Sequence, residues 1–508
     1  MFRRAHVYLL LASLLLSACQ RQPATPTPRR VLPTFTPTVT MPTSTPLPAG
    51  SPAWFRTTVV YQVFPRSFED SDGDGVGDLA GITQQLDYLN SLGITALHLL
   101  PVFGAASPDG YAVTDHLTVS PDLGTQQDLA TLVDEAHLRG IRVILDFPIA
   151  YSSDQHAFFQ EAYRNPESAY SPWYVWQNEA HTKYESFGND KTLPLLNLEN
   201  AEVQRYLLET ARYWLDVNND GNLTNGPDGF NFPDASLVPA GFWQALRADV
   251  KAIQADFVLL GEVEASQTDE MTPYFAHLDA LFDDPLYGVL AGSPDKSADG
   301  VLGGRATSEA IMTQLQAEAE RFPPAAQVVR FASRHTTNRL ASELGGSLAR
   351  QKQAAALILT LPGTPLVYYG EELGLKGNRG AATGPMDWAA VQAQDGQDGS
   401  LLEAYRSMIG QRHAYSALSL GGFQYVETAK CPTCLAYWRW DKNDFYLVLL
   451  NLSDETQATT IDFTNPPRPV RGAGEDVLRG GTVSVPSNGR YTLTIEGGDV
   501  RILHWGKP

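Results

Sequence analysis

Asp70, Asp72, Asp74 and Asp78 share one short stretch of the chain with Gly73, Gly75 and Gly77. Counted from Asp70, they fall at positions one, three, five and nine, and the backbone carbonyl of Val76 falls at seven. Closely spaced oxygen donors around glycines are what a hard cation such as Ca²⁺ requires. The competing reading is a solvated acidic turn. A weaker copy, Asp216-Val217-Asn218-Asn219-Asp220-Gly221-Asn222, lacks a clear final carboxylate. Cys431 and Cys434 form a C-x-x-C, which fits a thioredoxin-like redox motif, half of a zinc site or a local disulfide. No second cysteine pair exists to complete a four-sulfur zinc site, and no histidine lies close by in sequence. A small structural disulfide is the favoured expectation.

The elements that must position these groups belong to a chain of 508 residues, long enough to bury a large core in two to four domains. Its formal net charge of −20 argues against a nucleic-acid partner, which needs clustered Lys and Arg. At the N-terminus Arg3 and Arg4 precede an apolar run from Val7 to Leu16, closed by Leu16-Ser17-Ala18-Cys19. The run is too short to span a bilayer as a mature helix. It resembles a bacterial lipoprotein signal over residues 1–19, which implies lipidation of Cys19; the plainer alternative is a secretory signal with a chance cysteine. Either exports the protein, and an oxidising compartment suits the disulfide. Residues 20–52 repeat Thr-Pro and Pro-Thr steps. Proline removes backbone donors and favours extended polyproline II, so this segment is expected to form a semi-rigid stalk. The expected location is therefore extracytoplasmic, with membrane contact through the lipid alone.

From residue 53 to about 420, short β-rich runs alternate with amphipathic helical stretches. Expected strands are Val59–Phe64, Ala96–Leu100, Arg142–Phe147, Gly229–Phe232, Phe257–Glu262, Ala280–Phe282, Gln327–Ala332 and Leu357–Leu361. Gln126–Leu138 and Glu202–Leu215 carry apolar residues three and four apart, as helices packed on one face do. Eight such repeats predict a (β/α)₈ TIM barrel of the α/β class, whose chemistry lies at the C-terminal strand ends. An aromatic-rich insertion, about 149–200, follows the third strand. Residues 421–508 alternate apolar and polar positions between turns, predicting an antiparallel β-sandwich.

Asp228-Gly229-Phe230-Asn231-Phe232-Pro233-Asp234-Ala235 resembles the fourth barrel strand of the α-amylase family of glycoside hydrolases, whose pattern is D-G-F-R-x-D. Val60-Tyr61-Gln62-Val63-Phe64-Pro65-Arg66-Ser67-Phe68 is similar to the family's first strand, and Leu361 to Glu372 to its eighth. Pro385-Met386-Asp387-Trp388 resembles a further family signature. The resemblance implies retaining chemistry on α-glucosidic bonds, which needs a carboxylate nucleophile and an acid about 5 Å apart. It makes Glu262, in Gly261-Glu262-Val263, the acid/base. Tyr111, Asp146 and His335 become contacts to a sugar, and the Asp70–Asp78 loop a calcium site.

The same resemblance shows departures. Asn231 stands where the family has Arg, and Pro233 where it has the nucleophile. The seventh-strand motif F-L-x-N-H-D reads Phe331-Ala332-Ser333-Arg334-His335-Thr336, so Arg334 replaces Asn and Thr336 the third carboxylate. Ala150 and Tyr151 replace the Asn and His of the third-strand motif. Asp234 lies one residue beyond the nucleophile position, and strand alternation aims it away from the barrel mouth unless Pro233 makes a bulge. Around the rim, Tyr111, Tyr151, Trp173 and Trp176 are either stacking platforms for sugar or ordinary packing. The leading expectation is a glucan-binding or accessory protein acting on α-glucan or maltooligosaccharide without standard hydrolysis. The rivals are a working hydrolase or transglycosylase using Glu262 and Asp234, and an interaction module that binds no sugar.

Overall fold

The computed structural model describes residues 50–292, 300–303, 307–378, 384–470 and 472–506. The signal, Cys19 and most of the stalk lie outside the described residues. Eight parallel strands close into a barrel: β1 (Val60–Val63), β2 (Ala96–Leu99), β3 (Arg142–Asp146), β4 (Gly229–Phe232), β5 (Val258–Gly261), β6 (Ala280–Phe282), β7 (Gln327–Phe331) and β8 (Thr364–Tyr368). Each pairs with its neighbours in chain order, and β1 pairs with β8. Strands buried on both faces read as short, mainly apolar runs broken by single polar residues, which is why the sequence shows them so plainly.

One expected strand is corrected. Leu357–Leu361 belongs to the end of the helix Leu348–Thr360, and β8 begins at Thr364. That helix is buried on nearly every side from Gln353 to Thr360. A short apolar run of this kind carries no period that separates helix from strand.

Val60, Ala96, Ile144, Val258, Leu260, Ala280, Phe282, Val329, Phe331 and Leu366 fill the barrel, with Phe55 joining them. Phe55 sits on the short helix Ala53–Thr57, which closes the N-terminal end of the barrel. Thr364 Oγ1, at the start of β8, donates to the Phe55 carbonyl, and Trp54 Nε1 donates to the carbonyl of Asp256 just before β5.

Beyond the helix Leu401–Ala414 the chain turns antiparallel. The strands are β9 (Gly422–Val426), β10 (Cys434–Trp440), β11 (Phe445–Asn451), β12 (Gln457–Asp462), β13 (Ala473–Asp476), β14 (Thr482–Ser484), β15 (Arg490–Ile495) and β16 (Val500–Trp505). Six form one sheet in the order β9-β10-β11-β16-β13-β14, and β12 pairs with β15. One face of the large sheet shares the barrel's outer core through Leu435, Tyr437, Tyr446, Val448 and Ile502. The other face packs with the β12–β15 ribbon through Trp438, Phe445, Ile461 and Leu493. Cys431, in the turn before β10, and Cys434, its first residue, are buried and bonded to each other.

Candidate active site

Strand alternation carries the apolar barrel interior upward into a polar layer. Two residues beyond Val60, Ala96, Ile144 and Leu260 come Gln62, His98, Asp146 and Glu262, and Asn231 lies two beyond Gly229. These five join into one chain of hydrogen bonds around the barrel. Gln62 Nε2 donates to His98 Nδ1 at 3.2 Å, which places the imidazole proton on Nε2, and Nε2 donates to Asp146 Oδ1 at 2.7 Å. Asn231 Nδ2 then bridges two carboxylates, Asp146 Oδ1 at 2.6 Å and Glu262 Oε1 at 2.9 Å.

Arg334 completes the ring. Its Nη1 pairs with Glu262 Oε2, and its Nη2 donates to Asp284 Oδ1 at 2.8 Å. The guanidinium also lies 5.2 Å from the ring centre of Phe282 and 5.1 Å from that of Phe331. Cation–π attraction there offsets part of the cost of burying the charge. Burial works against the Arg334 charge, but Asp284 and Glu262 outweigh it and hold the pKa above its usual value. Burial likewise pushes Glu262 up, with Arg334 opposing. Asp146 feels the same burial, yet His98 and the Asn231 amide hold it below the ordinary carboxylate range.

The ring is closed to solvent. Glu262 is 3 % exposed, Arg334 4 %, and Asp146 and Asn231 not at all. Tyr111 and His335 cover it, stacked with ring centres 5.7 Å apart. Tyr111 donates its hydroxyl proton to Asp146 Oδ2 at 2.7 Å and accepts from His335 Nε2 at 2.9 Å. Gln62 Oε1 accepts from the His335 amide. The sequence-expected sugar contacts Tyr111, Asp146 and His335 thus come together, bonded to one another.

Asp234 belongs to a different neighbourhood. β4 ends at Phe232, and the Asp234 carboxylate accepts from the amides of Ile149 and Ala150 at 3.0 and 2.6 Å. Its other oxygen has no partner among the described residues. Burial pushes its pKa up to about 7 against those two amides. An acid whose folded pKa is raised keeps its proton where the unfolded chain has lost it. Its contribution to stability is therefore full below about pH 4, lost between about 4 and 7, and level above. Asp234→Asn keeps an oxygen for both amides and removes the titration. The variant is expected to gain on the order of 1–4 kcal/mol over the parent between pH 4 and 8, read from chemical denaturation at each pH. Parallel curves for the two proteins would refute the assignment.

The rim aromatics spend their faces on packing. Tyr151 stacks on Phe187 at 4.8 Å, and Trp176 lies between His181 at 4.4 Å and Phe159 at 5.7 Å. Trp173 is buried against Phe158 and Tyr170.

In the acidic loop, Asp70, Asp72 and Asp78 each bring a carboxylate oxygen within 4.8 Å of the others. Those three fit a hard cation. Asp74 stands outside the group, its Oδ1 accepting from the Val76 amide. Asp78 also caps the helix Leu79–Gln84 by accepting from the Gly81 amide, so the loop is tied to the fold as well as to any ion. The amides of Gly75 and Gly73 hold Asp70 below its usual pKa. In the weaker copy, Asp216 accepts from the amides of Asp220 and Gly221, so its carboxylate serves the turn itself.

Sequence reasoning missed Asp284 entirely, and His98 and Gln62 as members of the site. Each was visible as a polar residue at the end of an apolar strand, the one place in a barrel where such residues converge.

A family model for the α-amylase catalytic domain matches residues 62–415. α-Amylase MalA of Haloarcula japonica is 30% identical over 456 residues, covering 88% of this chain and 62% of its own. α-Amylase 3 of Dictyoglomus thermophilum is 32% identical over 341 residues, covering 64% and 66%. The chain thus spans a little under two thirds of the length of these relatives. Among solved structures, an α-amylase from H. orenii superimposes with a TM-score of 0.75 at 26% identity, over 88% of this chain and 99% of its own. A cyclomaltodextrinase gives 0.78 at 26%, over 89% and 79%. With barrel, motifs and matched region in agreement, the chain belongs to the α-amylase family.

Proposed function

We propose that this is an exported, lipid-anchored α-amylase-family protein that has lost retaining hydrolysis and holds α-glucan or maltooligosaccharide at the cell envelope. The observation that carries the loss is the Arg334 guanidinium paired with Glu262 inside a closed ring, next to Asn231 and with Pro233 at the nucleophile position. A general acid must reach the leaving oxygen. Glu262 has one oxygen on Asn231, the other on Arg334, and almost no exposed surface. The rival that uses Asp234 as nucleophile needs an ionised, accessible carboxylate. Asp234 is buried on two amides with its pKa near 7. The sugar partner is supported by family membership and by relatives named as amylases and a cyclomaltodextrinase.

Titration of maltoheptaose by calorimetry alongside a reducing-end assay tests this reading: heat of binding with no new reducing ends is the expected pair of results. No heat at any attainable concentration would favour the interaction module that binds no sugar. The anchor rests on the residues around Cys19; a palmitate label retained after Cys19→Ser would remove it.

The Asp70–Asp72–Asp78 cluster would hold Ca²⁺ as a structural ion. Metal that binds only the folded state stabilises it by mass action, by ~2.7 kcal/mol at a hundredfold excess over Kd. Chelator is expected to lower the melting temperature by several degrees and Ca²⁺ to restore it. An unchanged melting curve after verified metal removal would count against the site.

A further inference from the structure

We propose that the recess between the loops after β1 and β2 is a second carbohydrate site, shaped for one pyranose ring of a neutral α-glucan. This rests on the reading that the protein binds glucan, and it places that binding outside the closed ring.

The recess has a volume of about 140 Å³. An enclosed cavity of ~150 Å³ holds a bare six-membered ring such as benzene; a pyranose is larger, and the open side of the recess leaves its outer hydroxyls in solvent. Pro101, Phe103 and Leu123 give it an apolar lining, and Ser120 and the Arg66–Asp122 pair add polar groups. Ser120 is 9 % exposed, and its hydroxyl has no protein partner among the described residues. Arg66 Nη2 and Asp122 Oδ2 lie 2.9 Å apart, on side chains that remain partly exposed.

That combination selects a ligand class. An apolar wall suits the C–H face of a sugar, while a few convergent polar groups orient its hydroxyls. A carboxylate beside a guanidinium matches a vicinal diol, one hydroxyl donating to Asp122 and its neighbour accepting from Arg66. The two charges cancel, so an anion would meet Asp122 and a cation Arg66. A purely apolar ligand would leave the Ser120 hydroxyl unpaired. Gly110 lines the recess, and Tyr111 beside it turns its hydroxyl to Asp146. The loop at Gly110 and Tyr111 that covers the ring on one side therefore borders the recess on the other.

The test is maltose binding to the full chain by saturation-transfer NMR and calorimetry. A one-ring site predicts a Kd in the millimolar range. Ala106→Trp places an indole on the exposed rim of the recess, and at least tenfold weaker binding is expected at an unchanged melting temperature. Asp122→Asn is expected to weaken binding severalfold, and this second variant keeps the test valid should the indole disturb the loop. Unchanged affinity in both variants, with loss in Tyr111→Ala, would move the sugar to the barrel mouth; the recess would be refuted and the glucan reading kept. No binding of maltose or longer maltooligosaccharides by the parent protein would overturn both.

Discussion

Maltooligosaccharides are expected to remain uncut by this protein, and Glu262→Gln is expected to leave the background rate within about twofold. The family route needs a covalent glycosyl-enzyme, and Pro233 offers no atom to form it. Thr336 at the third-carboxylate position cannot supply the negative charge that steadies a developing oxocarbenium. General-acid help alone is worth roughly 10²–10⁴-fold, well short of the 10⁶ and more that enzymes reach. Glu262 cannot deliver even that while Arg334 and Asn231 hold both its oxygens. Reinstating the family residues together, with Asn231→Arg, Pro233→Asp, Arg334→Asn and Thr336→Asp, is expected to recover a trace at most, because Ala150 and Tyr151 still stand in place of the Asn and His of the third-strand motif. Release of glucose or maltose at ordinary enzymatic rates, abolished by Asp234→Asn, would establish the rearranged active site instead.

Arg334→Met carries the largest expected effect on stability. It leaves Glu262 buried and Asp284 partly buried with no cation between them, and breaking a buried pair this way costs about 3–5 kcal/mol. Glu262→Gln should cost much less. The amide still accepts from Asn231, and Arg334 retains Asp284. The double variant is expected to be more stable than Arg334→Met alone, because the stranded Glu262 charge is gone. The single-variant loss should also shrink at low pH, where the freed carboxyls take up protons. Denaturation curves for the four proteins measure this coupling directly. An Arg334→Met protein as stable as its parent would mean that the guanidinium does not hold the ring.

The barrel was legible because parallel strands buried on both faces are mostly apolar, and seven of the eight began within two residues of where the pattern put them. β8 escaped because the helix before it is buried almost all round, which erases the period that marks a helix. Glu262 and the displaced Asp234 could be read against a known motif. What Arg334 does could not. Its partners, Glu262 and Asp284, lie 72 and 50 positions away, and only the closed barrel brings β5, β6 and β7 side by side. A substitution read from sequence as the absence of Asn proves to be the presence of a cation. The rim aromatics show the reverse: the residues were plain, but Phe159, His181 and Phe187 already occupy the faces a sugar would need.

The helix Ala53–Thr57 has a directional consequence. Chain entering at residue 50 reaches the barrel at the end sealed by Phe55, with Trp54 and Phe55 fastened to the chain at the starts of β5 and β8. Tyr111, His335 and the recess beside Arg66 lie at the other end. A force applied at residue 50 would therefore be borne by the plugged floor, through Phe55 and the hydrogen bonds to Asp256 and Thr364, and the pole that carries Tyr111 and His335 would be spared it.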